Sequence, residues 1–233
     1  MPFKFNFIKN ALMALIIFFA INIYCHAETA EDYLKSGISY YEQLNYAQAL
    51  SDLNKAIDLN PNSSNAYMYR GAVQNDNNLA ISDFNKAIDI DPKNSEAYFY
   101  RGKFYYRSVG NFTKAMSDFN KEIELNPNHA GSYYFRGSLY EKKNYGLLKN
   151  FKRWVGLSDP DFDVNEIKAL SDYSKAIEID PNDRQAYLER AMCYSSLKDF
   201  DKAWADIHTV EKSGMVVDPW YINSLKKASG RDQ

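Results

Sequence analysis

Cysteine is almost missing from this chain: only Cys25 and Cys193 occur in 233 residues. So sparse a supply excludes a disulfide framework. Histidine is as scarce, with His26, His129 and His208. None of them stands near cysteines or carboxylates at metal-ligand spacing, so the sequence offers no metal site and calls for no cofactor. Charge of one sign is lacking too. The net charge of −2 gives no electrostatic footprint for a nucleic-acid partner. There is no phosphate loop, no HExxH and no GxSxG. No catalytic residues are assigned, and the reading is of a protein that is not an enzyme.

Long apolar runs are confined to the N-terminus. Lys4 and Lys9 precede the apolar stretch Ala11 to Tyr24, and Cys25-His26-Ala27 offers small residues at the −3 and −1 positions. This reads as an export signal over residues 1–27, cleaved after Ala27. The stretch is shorter than the roughly 20 residues that span a bilayer. Export to the periplasm is the expectation, with secretion or an uncleaved N-terminal anchor as alternatives. Cleavage leaves Cys193 as the sole thiol, read as a small buried apolar side chain.

What the chain has in abundance is repetition. The octapeptide Asn54 to Pro61 returns as Asn85 to Pro92, Asn120 to Pro127 and Ser174 to Pro181. Ahead of each lies an aromatic followed four residues later by a small residue: Tyr33 and Gly37, Tyr67 and Gly71, Tyr98 and Gly102, Tyr133 and Gly137; Tyr187 and Ala191 open a fifth unit without the octapeptide. Tyr40, Tyr105, Tyr140 and Tyr194 follow, and the spacing is one helical stripe. Glycine inside a helix costs about 1 kcal/mol against alanine, which points to a close helix–helix approach. A second stripe, such as Ala49, Leu53 and Ala56, marks a second helix. The proline after it stops that helix, and the Asn or Asp beyond can cap the next. Repeated units that bury their faces on neighbours make an enzyme less expected, because catalysis needs unlike groups converging on one point.

These positions together resemble the tetratricopeptide repeat, a helix–turn–helix unit of about 34 residues. The resemblance implies an all-α fold, a right-handed α-solenoid of about five units with a C-terminal capping helix. The units fall at about 30–63, 64–94, 95–129, 130–183 and 184–217, with residues 218–233 as cap and tail. The second unit is short, so its first helix is expected to be clipped near Gln74. The third carries an extra residue near Gly110. The fourth holds an insertion over 146–165. Trp220, Tyr221 and Leu225 are expected to cover the last unit.

The aspartates Asp52, Asp83, Asp118, Asp172 and Asp206 share one register, and Arg70, Arg101, Arg136 and Arg190 another. They read as a ladder of ion pairs, each contributing about 0–1 kcal/mol if exposed.

The resemblance also implies a concave peptide-binding groove lined by Leu34, Ile38, Tyr41, Met68, Phe99, Lys103, Tyr106, Tyr134, Glu141, Leu188 and Met192, with Ala72, Asn75 and Ser138 between them. Such a groove is apolar and aromatic. It lacks the lysine–asparagine pairs with which chaperone adaptors of this family clamp a C-terminal carboxylate. Phe151, Lys152, Arg153 and Trp154 in the insertion are a second candidate contact. The function expected is a scaffold or adaptor in the cell envelope that binds another protein or a peptide segment. A glycan-binding module, or an enzyme with its site at the insertion, stays open as an alternative.

Overall fold

The computed structural model describes residues 28–144 and 160–231, together with Met13. The export signal at 1–27, and Phe151, Lys152, Arg153 and Trp154 of the insertion, lie outside the described residues. Eleven helices are described, and no strand occurs among the described residues. No described helix is long and apolar enough to cross a membrane.

The chain divides into two compact units at Ile90 and Asp91. The first holds α1 (Ala30–Glu42), α2 (Tyr46–Leu59), α3 (Ser64–Val73) and α4 (Asn77–Ile90). The second holds α5 (Ser95–Phe104), a π-helical turn (Tyr105–Val109), α6 (Phe112–Leu125), α7 (Ala130–Asn144), α8 (Pro160–Ile179), α9 (Arg184–Ser196), α10 (Phe200–Lys212) and α11 (Pro219–Ser229). Within each unit, consecutive helices pack pairwise along the chain.

The repeating octapeptide explains the helix ends. Asn60 and Asn126 cap α2 and α6 just before the prolines. Two residues past the proline, Ser63, Asn94 and Asp183 accept a hydrogen bond from the third backbone N–H of the next helix. Each cap of this kind stabilises a helix by about 1 kcal/mol. The clipped first helix of the second unit is present, since α3 stops at Val73 and Gln74 is extended.

Close packing inside a pair follows the aromatic–glycine stripe. A Cβ on Gly102 would lie 2.9 Å from Phe119 Cε1, so only the bare backbone lets α5 settle on the ring. Small residues of the second helix (Ala115, Ala169, Ala203) are fully buried. The extra residue of the third unit is absorbed by the π turn. In the first and fifth units the turn is closed by Asn45 N–H to Tyr40 O and Asp199 N–H to Tyr194 O, five residues apart. In the third the equivalent bond, Asn111 N–H to Tyr105 O, spans six. Gly110, at φ 69°, takes the left-handed bend that follows.

The aspartate–arginine ladder forms, and its aspartates are buried rather than exposed. Arg70–Asp83, Arg101–Asp118, Arg136–Asp172 and Arg190–Asp206 are two-point pairs with N···O distances of 2.7–2.9 Å. The aspartate side chains keep only 5–8% exposure. Each pair closes one helix pair. The spare arginine nitrogen reaches back to the first residue of the preceding octapeptide: Arg70 to Asn54, Arg136 to Asn120 and Arg190 to Ser174. That residue therefore links neighbouring repeats. In the first repeat Ser36 stands where the arginine would be and donates to Asp52 at 2.7 Å.

At the C-terminus, α11 buries Leu225 and packs Tyr221 and Ile222 on Ala203, Ile207 and Val210. Trp220 departs from its expected place. It is 75% exposed; as the second residue of α11, after Pro219, it donates its N–H to the Asp218 cap. Trp204 fills the role instead and donates to Ser229.

Candidate functional site

The eleven predicted groove residues do not share one environment. Leu34 and Met68 are buried, Leu34 among Ala49, Leu53, Ala56 and Ile57, and neither presents a surface to a ligand. Glu141 is buried as well. One residue past each opening aromatic, the side chain leans into a neighbouring helix rather than out of the pair. Ile38, Tyr41, Phe99, Lys103, Tyr106, Tyr134, Leu188 and Met192 are half-buried.

In the first unit Tyr41 meets Tyr69 edge-on at 5.5 Å and Tyr46 at 6.2 Å. Ile38 lies against the same cluster. The cluster is aromatic, with Lys55 over Tyr33 and the ion-paired Arg70 over Tyr67.

The second unit is different. Phe99 is wedged against Phe119, His129 and Phe135 at centroid distances of 6.2, 4.3 and 5.9 Å, and serves as packing. Tyr106 stands over Phe135 at 5.5 Å and shares a 2.6 Å hydrogen bond with Ser138. Three cations border these rings. Lys103 Nζ sits 5.4 Å from Phe99, Arg107 Cζ 5.4 Å from Phe135, and Lys142 Nζ 4.3 Å from Tyr106 and 4.9 Å from Phe112. Burial, with the Arg107 charge adding to it, pushes the Lys103 ammonium below its ordinary value. No carboxylate among the described residues forms an ion pair with any of the three. The surface of α5 and α7 is thus aromatic and cationic, and has donors to spare. Arg107, Phe112 and Phe135 join this surface without having been expected there, and Lys142, at the edge of the insertion, joins it through Tyr106 and Phe112. The i, i+4 spacing of Lys103 and Arg107 was the available signal.

Two polar clusters lie beneath. Glu122 takes the position of Ala56, Ala87 and Ala176 in the octapeptide, and His129 that of the capping Ser63, Asn94 and Asp183. His129 Nδ1 lies 3.0 Å from Glu122 Oε1 and 3.3 Å from Ser132 Oγ. Glutamate, histidine and serine come together, yet both contacts fall on one ring nitrogen and Ser132 is fully buried. A nucleophile relay needs both nitrogens and an accessible hydroxyl, and this arrangement supplies neither.

The second cluster joins three helices. Tyr173 O–H of α8 donates to Glu141 Oε2 of α7, and Cys193 S–H of α9 to Glu141 Oε1 at 3.5 Å. Carboxyl oxygens of Glu141 and Glu166 and the Cys193 sulfur lie within 4.8 Å of one another, all buried. Burial, assisted by Glu189 and Glu166, pushes Glu141 up to about 7. Burial also pushes the Cys193 thiol far up, which keeps it protonated and unreactive, as its expected role as a small buried residue requires. Spacing along the chain gives no sign of this cluster, since Glu141, Glu166 and Cys193 stand 25 or more positions apart and on three helices.

Comparison with known proteins bears on the fold and the family. Tetratricopeptide-repeat family models match residues 34–78, 95–129 and 173–205, and a TPR-repeat model matches 74–109. Among solved structures, PilF of Pseudomonas aeruginosa is similar at TM-score 0.68 and 16% identity, over 86% of this chain and 87% of that one. PilW, described as a widely conserved type IV pilus biogenesis factor, is similar at 0.67 and 16%, over 88% and 87%. YrrB, described as a TPR protein with an unusual peptide-binding site, is similar at 0.55 and 18%, over 84% and 91%. At these identities the likeness is one of fold. No curated protein matches the sequence. The repeat stripe, the paired helices and these matches make the chain an α-solenoid member of the tetratricopeptide-repeat family.

Proposed function

We propose that the chain is a non-enzymatic scaffold of the cell envelope that holds an acidic segment of another protein against the α5–α7 surface. The observation that carries this is the set of three cations over aromatic rings with no described carboxylate paired to them. A half-buried ammonium such as Lys103 is poorly solvated, so an incoming carboxylate regains energy that water does not supply. The rings beside it offer apolar area to the stem of the same segment. The fold supports an interaction role, and YrrB, similar in fold, has a peptide-binding site. The envelope location follows from the export signal expected at 1–27.

The test is binding of a labelled peptide of alternating acidic and aromatic residues to the full chain. Binding should fall about ten-fold for Lys103→Ala with Arg107→Ala, and should weaken with salt. A matched peptide with glutamine for glutamate should bind weakly to both proteins. Equal binding of the two peptides to the parent chain would overturn the acidic reading.

A further inference from the structure

We propose that Glu189 of α9 receives a basic side chain, lysine or arginine, from the same bound segment whose acidic residues rest on α5 and α7. The inference rests on that reading of the surface and adds a second subsite of opposite charge to it. The ligand is then a segment with a fixed order of charges, acidic at one end and basic at the other.

Position comes first. Tyr134, Ser138 and Lys142 stand at i, i+4 and i+8 of α7, which makes them one stripe of that helix. Lys142 lies over Tyr106, and Ser138 shares a hydrogen bond with it, so this part of the stripe borders the cationic surface. Tyr134, at the other end of the stripe, turns its hydroxyl to Glu189 and hydrogen-bonds to it. Buried Phe135 touches both Tyr106 and Tyr134, at centroid distances of 5.5 and 5.4 Å. A continuous aromatic path therefore leads from the three cations to Glu189.

The electrostatics supply the ligand chemistry. Glu189 is half-buried. Its partners are the Gln185 amide, which donates at 2.8 Å, and the Tyr134 hydroxyl. Both are neutral, and a carboxylate can accept about four hydrogen bonds, so room is left for a further donor. No described residue forms an ion pair with Glu189. Arg190, the next residue along the helix, is committed to Asp206. Burial pushes the Glu189 carboxyl up, and what opposes the push is the two hydrogen bonds rather than a cation. A poorly hydrated carboxylate of this kind attracts an incoming cation more strongly than one bathed in water. Leu188 and Met192 of the same helix are half-buried and offer apolar area to the aliphatic stem of a lysine or arginine.

The spacing of the two charges is set by the stripe. Tyr134 and Lys142 are about 12 Å apart along α7, and an extended segment advances about 3.3 Å per residue, so its acidic and basic residues stand about four positions apart.

The experiment titrates labelled peptides against the full chain. All share the same aromatic residues. They carry glutamate or glutamine at the acidic position and lysine or glutamine four residues away, with the lysine placed on either side. In one of the two orders, lysine should tighten binding to the parent about five-fold over glutamine. Glu189→Gln, which keeps an acceptor for Tyr134 and Gln185, should lose that gain while keeping the preference for glutamate. Glu178→Gln, which removes an exposed acid paired with Lys175 on α8, should keep both. If Glu189→Gln fails to fold, Glu189→Asp replaces it and should lower the lysine gain by drawing the carboxylate back. A lysine that adds nothing in either order overturns the Glu189 subsite, even where the preference for glutamate persists. An equal loss of the gain in Glu178→Gln also overturns it, since net charge and not the site would then be sensed. A lysine gain that depends on Glu189 in peptides that show no preference for glutamate supports this subsite and overturns the acidic reading instead.

Discussion

Arg136 and Asp172 make a two-point ion pair at 2.7 and 2.8 Å although 36 residues separate them. The corresponding pairs in the second, third and fifth repeats bridge 13, 17 and 16 residues with the same geometry. The insertion of the fourth repeat thus lengthens the connection without altering how α7 and α8 meet. A buried bidentate pair is orientation-specific, and it holds the two helices in the register that the tyrosine–glycine stripe requires.

Breaking that pair is predicted to be expensive. Asp172→Ala strands Arg136 with one partner, Asn120, and should destabilise the chain by about 3 kcal/mol. Replacing both members by apolar residues, Arg136→Met with Asp172→Leu, should cost clearly less than the single change. Urea unfolding of the parent and the two variants checks this. A double variant weaker than the single one would show that the pair contributes net stability.

Gly102→Ala places a methyl group 2.9 Å from Phe119 Cε1. Helix propensity favours alanine by about 1 kcal/mol, while overpacking costs about 1–3 kcal/mol. The prediction is a net loss, read as a lower melting temperature. Gly102→Ala combined with Phe119→Leu should recover part of it, because the smaller side chain vacates the contact.

The third repeat carries an internal misfit that a designer would remove. Glu122 is 1% exposed, and its Oε2 has no hydrogen-bond partner in the structure. Glu122→Ala together with His129→Asn restores the pattern of the other repeats. The pair should raise stability by about 1 kcal/mol, through removal of a buried polar burden and return of an amide cap. Thermal melting at neutral pH reads it. A lower melting temperature would mean that the glutamate–histidine contact outweighs the burden.

Phe99 and Lys103 should separate packing from binding. Phe99→Ala empties a space lined by Phe119, His129 and Phe135 and should destabilise the chain by about 3 kcal/mol. Its effect on any ligand is then indirect. Lys103→Ala removes a poorly solvated charge beside Arg107 and should leave stability unchanged or slightly raised, while weakening an acidic ligand. Melting and peptide titration of both variants distinguish the two roles.

The extent to which the sequence was readable follows from how local each feature is. The helix pairs, the prolines that end them and the aspartate–arginine registers are set by neighbours a few positions apart, and they appear where the repeat puts them. The depth of the ion pairs was not readable, because burial depends on how two helices close. Among the groove residues, Leu34, Met68 and Glu141 were misplaced for the same reason. A helical register gives a direction, whereas the neighbouring pair decides whether that direction is open. The cluster of Glu141, Glu166 and Cys193 was invisible, since three helices must pack before its members meet. His129 and Glu122 were visible as departures from the repeat, yet only the fold joins them.

The most direct test of the scaffold reading is site-specific crosslinking in whole cells. A photoreactive residue at Tyr106, in the middle of the cationic aromatic surface, is activated and the captured segment is mapped. The account predicts one dominant envelope protein, crosslinked through an acidic stretch and lost in Lys103→Ala with Arg107→Ala. Capture of glycan alone, or of a segment without acidic residues whose yield ignores those two changes, would contradict it.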